Sequence, residues 1–186
     1  MYEEVGGDLE CDCAGSETLG RYDFGGGRGL TFNTAADGLF ALDGFSRKVV
    51  GHALGLFLDT SLPLEALQNA IQARKPLSGL IHHSDWGVQY TSHAYIGVLE
   101  NFGAEISMSR KGNPYDNAKM ESFMATLKLE EVELSEYEDF FEIQTQVSKF
   151  IDAVYNVKRL HFSLGYVPPI EFEMAYHERM KFEVSL

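Results

Sequence analysis

The sequence predicts a mixed α/β fold in which three antiparallel strands are followed by parallel additions, with helices flanking the sheet. Three observations predict it. Short apolar, β-prone runs alternate with segments that repeat apolar residues at helical spacing. A length of 186 residues suits one domain of ordinary size with a real core. With 45% apolar and 23% charged residues, the composition is that of a globular chain and excludes disordered, collagen-like and coiled-coil classes.

Residues 1–38 are rich in glycine and short polar side chains, with a run at Gly25 to Gly27 and little periodicity, so they read as an irregular or degraded N-terminal segment. From Leu39 the pattern sharpens. LFALD and KVVGHALGLFL, placed around the turn-like GFSR, read as two antiparallel strands. Ser61 and Pro63 open a helix with Leu64, Leu67 and Ile71 at helical spacing, which ends near Lys75-Pro76. GLIHHSD, residues 79–85, is a short buried strand ending in an acid, and Ser92 caps a helix carrying Tyr95, Leu99 and Phe102 before Gly103 stops it.

Next comes the strand AEISMS, residues 104–109, and the loop RKGNPYDN. A helix follows from about Asp116 to Glu130, whose stripe of Met120, Phe123, Met124 and Leu127 is a core face. A further helix over 137–155 buries Phe140, Ile143, Val147, Phe150 and Val154, and the pair Pro168-Pro169 leads to a short closing helix. With a strand before Leu39, this is the ribonuclease-H-like order of elements. The core spans 39–172, and 173–186 is a tail or short helix.

The net charge of -13 opposes a polyanionic partner for the chain as a whole. Its distribution is uneven. Residues 1–73 hold 11 acids and 4 bases, residues 74–128 hold 5 and 6, and residues 129–186 hold 12 and 5, so only the middle segment does not repel phosphate. Cys11 and Cys13 are too close in sequence for an unstrained bridge, which excludes a disulfide framework and reads as free thiols. No apolar run reaches the roughly 20 residues that cross a bilayer, and the start is acidic where a secretory signal is basic, so the expectation is a cytoplasmic protein with no membrane partner.

Asp85 sits where a strand ends and a loop begins, the place where open α/β sheets present ligand-binding groups. Glu121 lies early in the helix after the next strand, with 35 residues between the two acids. A carboxylate pair so placed suits Mg²⁺, which takes oxygen ligands and keeps positions for water and phosphate. From spacing alone, both also fit as two surface acids among 28.

The surrounding residues add specificity. HHSDWGVQYTS around Asp85, SMSRKGNPYDNAKMESFMATLK around Glu121, LDGFSRKVVGHAL at 42–54 and YNVKRLHFSLGYVPPIEF at 155–172 together resemble the integrase core of bacterial insertion-sequence transposases of the DDE type, related to retroviral integrases. The resemblance implies that Asp85 is the second catalytic Asp and Glu121 the catalytic Glu, and that a first Asp on the opening strand completes a site for Mg²⁺ or Mn²⁺. The family's offset for that first Asp, counted back from Asp43, lands on Gly25. The nearest acid, Asp23, is the candidate, with Asp8 and Asp43 as other acids able to supply the ligand.

Several further residues have readable roles. Ile81, His83 and Asp85 share a strand face by the period of two, which brings His83 toward a phosphate or attacking water, whereas His82 reads as a core or surface histidine. Glu121, Ala125 and Lys128 share a helix face, so Lys128 meets DNA phosphate. Ser109, Arg110, Lys111 and Asn117 guide the DNA backbone by charge and hydrogen bonds, and Asp116 reads as a helix cap.

The resemblance implies metal-dependent cleavage of DNA and strand transfer at insertion-element ends and target DNA. Two alternatives stand beside it: a catalytically inactive transposase remnant lacking the first Asp, and a ribonuclease-H-like nuclease. No helix-turn-helix segment is legible before the core, so end recognition is expected from a helix-turn-helix domain or partner polypeptide, and assembly as a homo-oligomer is a further expectation.

Overall fold

The computed structural model describes residues 11–13, 17–26, 30–56, 61–74, 80–84, 88–108 and 118–184. Strands β1 (Cys11–Cys13), β2 (Glu17–Gly26), β3 (Leu30–Leu42) and β4 (Val49–Gly55) come first, followed by helix α1 (Ser61–Arg74). Strand β5 (Ile81–Ser84), helix α2 (His93–Asn101) and strand β6 (Glu105–Met108) come next. Helices α3 (Ala118–Glu130), α4 (Phe140–Lys149) and α5 (Pro169–Val184) complete the order, α4 continuing as a π-helical turn over Phe150–Tyr155.

Strands β2, β3 and β4 form an antiparallel sheet in that order, and β1, β5 and β6 a parallel one with β5 in the middle. Strand β1 also lies beside β3, which brings the two sheets together. The fold is the expected mixed α/β arrangement of three antiparallel strands plus parallel additions.

Regular pairing extends further toward the N-terminus than the residue pattern indicates. Gly25 pairs with Thr31 and Gly26 with Leu30. A ladder of backbone hydrogen bonds needs no side-chain alternation, so a glycine-rich stretch with no periodicity still forms a strand when a partner lies alongside.

Alternation along β3 divides the core between two layers. Phe40 and Leu42 pack with Phe123, Met124 and Leu127 of α3 and Val147 of α4. Leu39 and Ala41 pack with Leu67 and Ala70 of α1 and Tyr95 of α2. Helices therefore cover both faces, the normal fate of a sheet with apolar residues on both sides. Helix α1 comes so close to β4 that a Cβ on Gly51 falls 2.5 Å from the Ala66 carbonyl and the Ala70 nitrogen. Ser92 caps α2 by accepting from the Tyr95 N–H, and Gly103, at φ 66°, ends it.

The closing helix α5 is 16 residues long, longer than the short element the sequence suggests. Its first two turns dock through Phe172 and Tyr176 against Phe45 at ring distances of 5.1 and 4.9 Å. Beneath them Arg74 bonds both Asp43 and Glu173, while Ser46 and Lys48 also reach Glu173. Burial pushes the Glu173 carboxyl up, but the hydrogen bonds from Arg74 and Ser46 and the charges of Arg74 and Lys48 outweigh it and hold the group below its ordinary value.

Candidate active site

The parallel sheet positions the candidate site. Along β5, His82 and Ser84 are buried while Ile81 and His83 are half-buried, as a strand with two unequal faces requires. His82 Nε2 lies 2.8 Å from the Tyr95 hydroxyl, and burial pushes its imidazole down to about 4. It is a neutral core histidine, in keeping with the reading given above. His83 faces the other way and pairs through Nδ1 with Ser107 Oγ of β6 at 2.9 Å, across the register pair His83↔Ser107.

Asp85 is the next residue after β5 and lies outside the described residues, as do Arg110, Lys111 and Asn117 in the segment before α3. Glu121 stands in the first turn of α3 and is exposed, because the buried stripe of Met120, Phe123, Met124 and Leu127 turns the opposite face inward. Its carboxylate makes no hydrogen bond or ion pair with a described residue. Lys128, half-buried, is two turns further along the same helix.

Phe123 fixes the height of α3 over the sheet. Its ring meets Phe40 of β3 at 5.1 Å and Tyr155 at 4.9 Å, both edge to face. At the far end of the helix Arg159 forks onto Glu130, with Nε and Nη2 donating at 2.9–3.2 Å. Tyr155 and Arg159 thus support the helix that carries Glu121.

The candidates for a first carboxylate differ in placement. Asp23 is on β2, opposite Asn33 in the antiparallel sheet. Asp43 is 6% exposed and already accepts from Phe45 N–H, Ser46 N–H and Arg74. That carboxylate is committed to closing the turn before β4, which removes it as a ligand. Asp8 lies outside the described residues. An acid that the sequence pattern does not single out, Asp12, is the register partner of His83 in the parallel pair β1–β5. Cys-Asp-Cys is too short to show strand alternation, and only the register with β5 draws attention to it.

Comparison with known proteins bears on this arrangement. Two family models, both described as integrase core domain, match residues 24–114 and 102–169. The chain belongs to the integrase core domain family. It is 44% identical over 132 residues to the transposase for insertion sequence element IS904 of Lactococcus lactis subsp. lactis, covering 71% of this chain and 52% of that protein. It is also 37% identical over 153 residues to an insertion element IS600 uncharacterized 31 kDa protein of Shigella sonnei, covering 80% and 56%. The chain spans about half the length of the curated relatives it matches.

Among solved structures, this integrase core resembles a chain of a simian T-cell lymphotropic virus intasome, with a TM-score of 0.67 at 15% identity over 88% of this chain and 55% of that one. It also resembles the HTLV-2 integrase catalytic core domain, solved in complex with magnesium, with a TM-score of 0.61 at 12% identity over 89% and 98%. These likenesses establish the ribonuclease-H-like fold.

Proposed function

We propose that this integrase core is the catalytic part of an insertion-sequence transposase of the DDE type, cutting DNA at element ends and joining the freed end to another strand. The observation that carries the reading is the parallel sheet of an integrase core with Asp85 following β5 and an uncommitted Glu121 on the first turn of α3. The Glu121 carboxylate, which makes no hydrogen bond or ion pair with a described residue, matches the preference of Mg²⁺ or Mn²⁺ for hard oxygen ligands. Asp85, Glu121 and a first carboxylate hold the metal. When bound, it supplies Lewis acidity at the attacking and leaving oxygens of an in-line displacement.

For the first carboxylate the register favours Asp12 over Asp23. Asp12 is in line with His83, two residues before Asp85, whereas the strand carrying Asp23 pairs with β3 and not with β5. The remaining roles fall to groups that hold DNA. His83, steadied by Ser107, orients a phosphate or the attacking water, Lys128 meets a backbone phosphate, and Arg110, Lys111 and Asn117 guide the strand ahead of α3. Recognition of the element ends falls to a helix-turn-helix domain or partner polypeptide, and the working form is a homo-oligomer.

Metal binding tests the reading directly. Millimolar Mn²⁺ raises the melting temperature because it binds the native state alone, and Asp85→Asn or Glu121→Gln abolishes the rise. Asp12→Asn abolishes it and Asp23→Asn does not, and nicking of element-end DNA follows the same pattern. Superimposable melting curves in EDTA and Mn²⁺ reject the site, and loss of the rise in Asp23→Asn alone returns the first ligand to Asp23.

A further inference from the structure

Among the described non-glycine residues, two adopt positive φ: Arg47 at 62° and Tyr166 at 62°. Such a conformation costs of order 1 kcal/mol or more and persists only where its surroundings hold it. Both residues flank one segment of the fold. Arg47 is two residues before Val49, whose N–H and C=O are bound by the side chain of Asn156. Tyr166 closes the loop that begins at His161, with its N–H donating to the His161 carbonyl at 2.9 Å and His161 N–H donating to the Val167 carbonyl at 3.3 Å.

What this segment presents is unusual for so acidic a chain. The Arg47 side chain makes no hydrogen bond or ion pair with a described residue, and Lys158 is exposed and equally unengaged. Arg159 uses Nε and Nη2 on Glu130, leaving its Nη1 edge open. The charges of Arg159 and Arg47 both act on His161, and Phe162, the next residue, and Tyr166 are 79% and 64% exposed with ring centroids 5.4 Å apart. Their backbone is not loose. Leu164 between them is buried, and Pro168 and Pro169 are buried after them. The His161 ring packs on Tyr155 at 5.0 Å, and burial, aided by the charges of Arg159 and Arg47, pushes its imidazole down to about 4, so the cluster adds no histidine cation at neutral pH.

Exposed aromatic faces near guanidinium groups with donors to spare are the two ingredients that hold an unpaired nucleic-acid strand: rings stack on bases, and guanidinium N–H groups bind phosphate. We propose that Arg47, Arg159, Phe162 and Tyr166 form a second DNA contact, distinct from the carboxylates, that holds a single-stranded segment of the DNA substrate. The proposal rests on the transposase reading for the identity of the polyanion, and Arg47 and Arg159 supply the cations that meet it locally in a chain of net charge -13. Glu130, which anchors Arg159, is nine residues after Glu121 on α3. Nine residues of helix measure about 14 Å, or about four backbone steps of DNA. A strand cut near Glu121 therefore reaches the patch within a few nucleotides.

The test measures fluorescence anisotropy of a labelled single-stranded oligonucleotide and of the matching duplex, with the full chain, alongside thermal melting. Phe162→Ala and Tyr166→Gly each lower single-strand affinity about fivefold or more and change duplex affinity less. Tyr166→Gly also raises the melting temperature, because glycine takes the positive φ without strain. A tyrosine kept for packing gives the opposite, a lower melting temperature with unchanged affinity. Arg47→Gln reduces the salt slope of binding by about one, and Arg47→Lys restores it. Unchanged single-strand affinity in these variants overturns the proposal, as does failure of the unsubstituted chain to bind the oligonucleotide. Loss of self-association by sedimentation with unchanged DNA affinity overturns it too, and assigns the rings to contact between copies. Persistence of the Mn²⁺-dependent rise in melting temperature in those cases leaves the catalytic reading standing by itself.

Discussion

The side chain of Asn156 accepts from the Val49 N–H and donates to the Val49 carbonyl, both at 3.0 Å, so it occupies both main-chain hydrogen-bonding groups of a residue at the start of β4. Asn156 is 4% exposed, and its own carbonyl accepts from the Ile170 N–H at the start of α5. One residue therefore joins β4, through its side chain, to the end of the π-helical turn and to α5, through its main chain. The π turn bears on this directly, since the Asn156 N–H donates to the Ile151 carbonyl, five residues back.

Replacing that amide is expected to be costly. Asn156→Ala leaves a buried donor and a buried acceptor unpaired and lowers stability by about 2–4 kcal/mol, measured by urea unfolding. Asn156→Asp keeps the acceptor and opposes a carboxylate to the Val49 carbonyl, so it falls no closer to the native chain.

Helix α3 has a buried face that carries Phe123 and an exposed one that carries Glu121. Phe123→Ala removes the ring between Phe40 and Tyr155 and costs about 3–5 kcal/mol. Glu121→Gln, on the exposed face, shifts stability by no more than about 0.5 kcal/mol in the absence of metal. Equal destabilisation by the two substitutions contradicts this division.

The Arg74 network predicts a non-additive result. Arg74→Ala removes the cation shared by the neighbouring carboxylates of Asp43 and Glu173, leaving Asp43 without an ion pair and Glu173 with Lys48, and costs about 3 kcal/mol or more. Adding Glu173→Gln relieves the repulsion, so the double variant is more stable than the sum of the two single losses allows. Simple additivity in a denaturation cycle counts against the network.

Acidification provides a fourth test. His82 is held neutral by burial, with its pKa lowered from 6.5 to about 4. Between those values the unfolded chain binds the proton and the native chain does not, so stability is fully present above pH 6.5 and falls as pH drops toward 4, by at most about 1.4 kcal/mol per unit for one group. His161, shifted the same way but less enclosed, adds a smaller loss over the same window. Melting temperatures that stay level from pH 7 to pH 4.5 contradict the buried neutral state.

Packing against α1 gives a fifth expectation. Gly51→Ala drives a methyl into the Ala66 carbonyl and Ala70 nitrogen and destabilises by about 1–3 kcal/mol, because both obstacles are backbone and neither can rotate away. Differential scanning calorimetry reads the change.

By itself the sequence determined the elements whose signal is local. The Ser92 cap, the Gly103 stop, the α3 stripe of Met120, Phe123, Met124 and Leu127 and a short strand within residues 79–85 are all written in spacing and cap chemistry, which act over a single turn or strand. It also marked Asp85 and Glu121 through the motifs around them. Tertiary structure alone decided which early acid stands beside β5. The register of β1 against β5 is set by pairing between segments some 70 residues apart in sequence, and no periodicity within Cys-Asp-Cys encodes it. The same holds for Asp43, a plausible ligand by residue type until folding brings Arg74 and the turn amides onto its carboxylate, and for the patch formed by Arg47 and Tyr166. Local propensity disfavours a positive φ at both residues, and only the surrounding contacts hold them there.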